Sequence, residues 1–318
     1  MNIIRMTGGL GNQMFQYALY LKYKSLGIPC KFEDWTEYEN HDNRRPILLK
    51  KAFGIDYPVA SMEEYTEFTD SYMDLPHRIA RKVRGRKTRL YNEASFDFDP
   101  LLLTKDDAYI TGFFQTDRYF PEDKDIIFDA FTFTDEVKEE AKKVLVSCEL
   151  RDSGHDEETV GIHIRRGDYL DASEIYGNIC TEEYYLRGIK YIEKCLKERL
   201  GESLIGHSAD GVLTDDDRFD NMRYLIFSND PDWAEDWACR TFEGTDASYT
   251  VLRGTTEDTG YIDMFLMSKC DHNIIANSSF SWWGAYLNTN PNKIVIAPSK
   301  WTNTEVRNDI FTKDMIRI

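Results

Sequence analysis

The apolar positions of this chain gather into short runs that alternate with amphipathic stretches. In the first half, "NIIRM" (2–6), "CKFEDW" (30–35) and "AYITGFFQ" (108–115) have the length and composition of strands. A stretch over about 14–26 carries an apolar face at helical spacing, and "TDEVKEEAKKVLVSCEL" (134–150) predicts a second helix with Thr134 as its cap. The second half is more regular, with strands expected at 159–165, 223–228, 249–253, 272–276 and 293–297. A helix over 182–200 has Thr181 as its cap and buries Tyr185, Ile189, Ile192, Leu196 and Leu200 on one face. Another starts after "LIFSND", with Asp230 as cap and Pro231 at the first helical position. Strand and helix alternating in this way predict an α/β fold with parallel sheets and crossover helices. Polar stretches at 151–158 and 201–222 interrupt the rhythm, and the first reads as a linker. The simplest architecture is two Rossmann-like domains facing across a cleft, residues 1–156 and 157–318.

Composition narrows the classes. A chain of 318 residues, 42% hydrophobic and 14% aromatic, can bury real cores. Its net charge of -17 argues against sequence-independent binding to nucleic acid, which needs cations for phosphates. Six scattered cysteines without a C-x-x-C pair read as reduced core thiols. No run approaches the ~18 apolar residues of a membrane span, and no signal-peptide pattern precedes "NIIRM", so a cytoplasmic protein is expected. One dense basic run, 78–89, stands out. It reads as a solvated helix, or else as a contact for an anionic membrane surface or a phospholipid-linked substrate.

Three stretches carry candidate chemistry. "VGIHIRRGDY" (160–169) starts as a strand, with Val160, Ile162 and Ile164 on one face and Gly161, His163 and Arg165 on the other, then runs into Arg166. Ligands of an open parallel sheet bind outside the carboxyl ends of its strands. Two guanidinium forks there suit phosphate oxygens, unless they serve salt bridges to Asp168 or Asp171. "DMFLMSKCDHNIIANSSFSWW" (263–283) places Asp263 on a helix, and Asn277, Ser278 and Ser279 where a strand meets the next helix. That turn is either an anion site at a helix N-terminus or an ordinary cap. Asp263 has the chemistry to accept from the N1–H and N2–H₂ edge of a guanine, or is a plain first-turn acid. "TGGLGNQMFQ" (7–16) is a glycine-rich strand-to-helix turn in which Gly8, Gly9 and Gly11 let backbone approach a ligand. Asn12 and Gln13 then start the helix as caps or as contacts. The acidic pairs Asp97/Asp99 and Asp215/Asp217 imitate a metal clamp but sit in polar loops, and no His/Cys cluster has zinc spacing, so no metal is expected.

Together, "GGLGNQMFQYA", "HIRRGDY" and "ANSSFSWWGAYL", with "GFFQTDRYF" and "IFSND", make the chain resemble the α-1,2-fucosyltransferases of glycosyltransferase family 11 over nearly its whole length. "HIRRGD" is also similar to a motif of α-1,6- and protein O-fucosyltransferases. The resemblance implies a two-domain GT-B fold. It also implies inverting transfer of L-fucose from GDP-β-L-fucose to the 2-hydroxyl of a terminal galactose, without metal or other cofactor. It puts the donor mainly in the C-terminal domain, with His163 and Arg165 on nucleotide and diphosphate, Arg166 and Asp168 beside them, Asp263 on guanine, and Asn277, Ser278 and Ser279 as a phosphate turn. Asn12 would sit near the sugar and β-phosphate, with Gly9, Gly11 and Gln13 around it. Phe280 stands where the α-1,6 relatives carry a glutamine, so phosphate contact there must differ. Asp171 and Glu174 are candidates for a general base, and Asp34 and Gln115 for contacts to the acceptor, expected to be a galactose-terminated, lipid-linked glycan. The competing readings are a GDP-fucose transferase of another linkage, a non-catalytic nucleotide-sugar binder, and a Rossmann dehydrogenase. "GGLGNQ" followed by Asp34 imitates the dehydrogenase fingerprint loosely.

Overall fold

The computed structural model describes residues 1–36, 46–69, 75–83, 85, 89–148, 158–167, 169, 172–205, 222–245, 247–304, 306 and 308–318. It divides into two compact units, Met1–Thr134 with Asn308–Thr312, and Asp135–Arg307 with Lys313–Ile318. The division therefore falls before Asp135, not at residue 156; of the expected linker, 151–157 lies outside the described residues. The cause is packing. The helix Asp135–Ser147 lies against the helix Tyr261–Met267 of the second unit, and Tyr261 Oη donates to Glu140 at 3.4 Å. Asp309, in turn, belongs to the first unit, where it pairs with Arg118 and accepts from the Phe98 N–H at 2.9 Å.

The first unit is a four-stranded parallel sheet in the order β2-β1-β4-β3. Its strands are β1 (Asn2–Arg5), β2 (Cys30–Glu33), β3 (Leu90–Asn92) and β4 (Tyr109–Thr111). Its helices are α1 (Leu10–Ser25), α2 (Leu49–Phe53), α3 (Met62–Thr69), α4 (Leu75–Val83) and α5 (Asp125–Ala130). The crossover α1 buries Met14, Phe15, Ala18 and Leu19, while Lys22 and Lys24 complement the negative end of its dipole. The apolar run 108–115 yields only a three-residue strand. Phe114 takes left-handed backbone, φ 54°, which no strand accommodates, so the chain turns at the end of β4.

The second unit holds a six-stranded parallel sheet in the order β10-β9-β8-β5-β6-β7. The strands are β5 (Glu158–Ile164), β6 (Met222–Ser228), β7 (Ser248–Val251), β8 (His272–Ile274), β9 (Val295–Ala297) and β10 (Met315–Arg317). Read from β7, this is the 3-2-1-4-5-6 order of dinucleotide-binding Rossmann sheets. The helices are α6 (Asp135–Ser147), α7 (Ser173–Tyr176), α8 (Glu182–Ile205), α9 (Pro231–Phe242), α10 (Tyr261–Met267) and α11 (Ser279–Tyr286). The starts of α8 and α9 follow from their caps: Thr181 Oγ1 accepts from the Tyr184 N–H and Asp230 Oδ1 from the Trp233 N–H, both at 3.3 Å. Val160, Ile162 and Ile164 pack with Tyr224 and Ile226 of β6, with Tyr184, Tyr185, Ile189 and Ile192 of α8, and with Trp237 of α9. Truncating a side chain as buried as Trp237 costs about 3–5 kcal/mol. The short β10, on the sheet edge, was not legible from its three residues. Two units each built on a parallel Rossmann-type sheet make the chain α/β and GT-B-like.

Candidate active site

In the second unit the chain winds outward from β5 through β6 to β7, then returns to the other side of β5 as β8. The carboxyl ends of β5 and β8 therefore form the point of strand-order reversal, the place where open sheets bind ligands. β5 delivers Arg165 and Arg166 there. Gly167 makes the turn possible: it adopts φ 45°, and a Cβ on it would lie 2.5 Å from Asn229 Nδ2. Asn229, at the end of β6, uses its Oδ1 to accept from the Arg166 N–H at 2.8 Å.

The charges are held in different ways. Arg166 is fixed from two sides, its Nε 3.2 Å from Asp230 Oδ2 and its guanidinium 4.0 Å over the Trp233 ring. Asp230 thus caps α9 with one oxygen and orients Arg166 with the other. Arg165 lies 3.4 Å from Glu257 and 5.7 Å from the Tyr169 ring centroid. His163 is 4% exposed, and burial together with the Arg165 charge lowers its pKa to about 3. It is therefore a neutral imidazole. Its Nδ1 is buried without a hydrogen-bond partner, and its ring lies 5.3 Å from that of Phe280. Among the described residues at this strand end, Arg165 and Arg166 supply the positive charge.

Across the reversal point, α11 opens toward the same end of the sheet. Ser278 is its N-cap, with Oγ accepting from the Phe280 N–H at 3.3 Å, and Ser279 is the first helical residue. Asn277 is different: its Nδ2 donates to the Trp301 carbonyl, its Oδ1 accepts from Cys180, and its own carbonyl accepts from Tyr169 Oη. Its carboxamide fastens the loop that leads into α11. Asp263, in the first turn of α10, accepts from Thr255 Oγ1 at 2.8 Å through Oδ2, while Oδ1 is closed from solvent without a partner. Burial, partly countered by Thr255, raises its pKa to about 7. The Phe280 ring lies beside His163, and a Cβ on Gly260, the residue before α10, would meet it at 3.4 Å.

The first unit repeats the geometry with other chemistry. Its order reverses between β1 and β4, whose carboxyl ends carry Thr7–Gly9 and Gly112–Gln115. Gly8 has φ 77°, and a Cβ on it would meet Asn12 Nδ2 at 2.5 Å. Asn12 Oδ1 accepts from Gln115 Nε2 at 2.8 Å, so the expected acceptor contact Gln115 orients Asn12. Gly9 is the N-cap of α1 and Gly11 is buried in its first turn. Gln13 is fully buried, donating to the carbonyls of Gly8 and Pro46 and accepting from the Leu48 N–H. Gln13 thus braces the turn. Asp34 accepts from Tyr57 Oη at 3.0 Å, and burial raises its pKa. Glu174 is exposed on α7. Asp168 and Asp171 lie outside the described residues.

Comparison with known proteins decides the class. The sequence model described as Glycosyl transferase family 11 matches residues 103–200 and 215–318. The chain belongs to glycosyltransferase family 11. It is similar to two Escherichia coli proteins, an alpha-1,2-colitosyltransferase (31% identical, covering 96% of this chain and 94% of that one) and the O-antigen biosynthesis glycosyltransferase WbnK (32%, 93% and 93%). It is also similar to galactoside alpha-(1,2)-fucosyltransferase 1 of Aotus azarae (26%, 88% and 63%). Among solved structures, Arabidopsis thaliana FUT1 with GDP is matched at 15% identity and a TM-score of 0.47, over 93% of this chain and 69% of that one. This family 11 chain is thus an enzyme that transfers a glycosyl group, which sets aside the dehydrogenase and the non-catalytic binder.

Several residues at the strand ends of each unit were invisible to sequence reasoning. Glu257, Thr255 and Trp233 lie in polar or helical stretches with no local signal. Asn229 and Asp230 sit in the quoted "IFSND", where only the cap was read. Glu93 is the largest omission: its two oxygens accept from the N–H groups of Phe113 (2.8 Å) and Phe114 (3.1 Å) and hold the left-handed turn after β4.

Proposed function

We propose that this chain transfers L-fucose from GDP-β-L-fucose to the 2-hydroxyl of a terminal galactose, inverting the anomeric centre, without a metal ion. The observation that carries the reading is the pairing, at one reversal point, of Arg165 and Arg166 with the Ser278-capped N-terminus of α11. Cleaving a sugar–phosphate bond adds charge to the leaving diphosphate, which fixed guanidinium groups and helix N–H dipoles stabilise. Arg165, whose partner Glu257 stands 3.4 Å away, is assigned the charge that develops; Arg166, braced by Asp230 and Trp233, is assigned orientation of the diphosphate. Asp263 Oδ1, covered and unpartnered, fits the donor edge of a guanine, which also leaves the carboxylate ionised when bound. Asn12 is assigned to the sugar, and Asp171 or Glu174 to the acceptor proton. Asp34 is assigned to the acceptor itself, a galactose-terminated glycan presented on a lipid at the cytoplasmic side. The names of the galactoside fucosyltransferase and the O-antigen relative favour a galactose-terminated glycan.

The test is product formation from GDP-fucose and lactose in EDTA, with Arg165→Ala alongside. Product with the α-1,2 linkage that survives EDTA and is lost in the variant supports the reading; product of another linkage, or dependence on a divalent ion, overturns it in that respect. The 31% identity to a colitosyltransferase favours a second donor sugar, colitose. A competition between the two nucleotide sugars at equal concentration decides between them.

A further inference from the structure

From residue 75 to residue 92 the sequence holds seven Lys or Arg and no Asp or Glu, within a chain whose net charge is -17. Nothing in the chemistry above uses this segment. Its helix, α4 (Leu75–Val83), differs from its neighbour. α3 buries Tyr65 and Phe68, whereas every side chain described on α4 is exposed. Leu75, Ile79 and Val83, one turn apart, are 69%, 53% and 82% exposed and make a continuous apolar stripe. Arg78 and Lys82, each one position before a stripe residue, are exposed as well. A short helix in a folded protein normally owes its stability to a buried apolar face. Arg89 anchors the end of the segment to the unit, pairing with Asp107 at 2.8 Å and Glu67 at 3.5 Å and covering the Phe68 ring.

We infer that α4 is a docking helix for an anionic lipid bilayer, its apolar stripe entering the headgroup boundary and its cations meeting lipid phosphates. Charge complementarity argues for this occupant. An acidic chain is repelled by an anionic surface everywhere except where its cations are concentrated, so one basic, apolar-striped helix sets both attachment and its direction. Three apolar side chains alone give marginal binding, and a polybasic patch is the second signal that stable peripheral attachment requires. The inference is independent of which sugar is transferred.

The test is co-sedimentation of the full chain with vesicles of phosphatidylcholine alone or with about one-third phosphatidylglycerol. The wild type should partition onto the anionic vesicles only, and leave them at about 0.5 M salt, where surface charges are screened. Each cation near such a surface contributes roughly a five-fold effect, so Arg78→Gln with Lys82→Gln should lower the partition coefficient about 25-fold. Ile79→Ser with Val83→Ser should lower it at least five-fold. All four positions are exposed, so the unfolding midpoint and transfer to a soluble acceptor should stay unchanged in both variants. Equal binding to neutral and anionic vesicles, no binding to either, or variants that bind like the wild type would overturn the assignment, the second pointing to an acidic protein partner.

Discussion

The two parallel sheets differ in strand order but share one feature, a reversal beside the first strand of each unit, and there they carry opposite chemistry. At that end the second unit places two arginines, a near-neutral-titrating carboxyl and a helix N-terminus. The first unit places glycine backbone and a carboxamide pair, Asn12 with Gln115. Charged groups suit a diphosphate whose charge grows during reaction, and amides suit a neutral sugar. The difference teaches that topology fixes where a site lies, while the side chains at the strand ends fix what it binds. The second unit's site should therefore fail through charge, and the first unit's through loss of orientation.

The largest effect is expected at Arg165. Its replacement by Ala removes a positioned cation from the leaving group and should lower kcat by about 10²–10³-fold in a GDP-release assay. A fall below ten-fold would mean that the charge resides elsewhere. Next comes Asp263→Asn, expected to weaken GDP binding by tens of fold, since hydrogen bonds to charged groups are worth about 1.5–3 kcal/mol. The pH dependence sharpens this. The carboxylate must be ionised to accept from guanine, so GDP affinity should rise as pH rises through about 7, and Asp263→Asn should flatten the curve. Stability runs the other way. A carboxyl at about 7 folded, against about 3.9 unfolded, binds more protons in the folded state, so its contribution is full below about pH 4 and lost as pH rises to 7. His163 and His272, whose pKa values fall to about 3 and about 4, oppose this trend, so the difference between wild type and Asp263→Asn is the quantity to follow by thermal unfolding.

Much of the fold was legible because its signals are local. The β5 and β6 runs are apolar, Asp230–Pro231 starts α9, and the α8 face repeats at helical spacing. Arg165, Arg166, Asp263 and Ser278 stood out for the same reason: charged or hydroxyl groups at the ends of apolar runs. What escaped was decided by contacts distant in sequence. The packing of α6 on α10 moved the unit boundary, and no local pattern announces it. Glu93 meets Phe114 across two strands, Arg166 meets Asp230 64 residues on, and the amides of Gln13 and Asn277 turned out to be engaged by carbonyls no spacing rule connects to them.

Smaller effects probe the supports. Glu93→Ala frees two N–H groups and the strained Phe114 backbone, which should lower kcat about ten-fold and cost about 1–3 kcal/mol by denaturant unfolding. If kcat is unchanged while stability falls, the first unit's turn has no part in catalysis. Trp233→Ala removes the ring beneath Arg166 and should raise the Kd for GDP by roughly two- to thirty-fold, the range of a cation–π contact of about 0.5–2 kcal/mol.

The most direct test of the central claim, that the end of β5 holds a diphosphate, is calorimetric titration of wild type and Arg165→Ala with GDP and with guanosine. The account expects the variant to lose roughly ten- to hundred-fold in GDP affinity while guanosine binds both proteins equally. Equal loss for both ligands, or GDP binding that ignores the substitution, would contradict it.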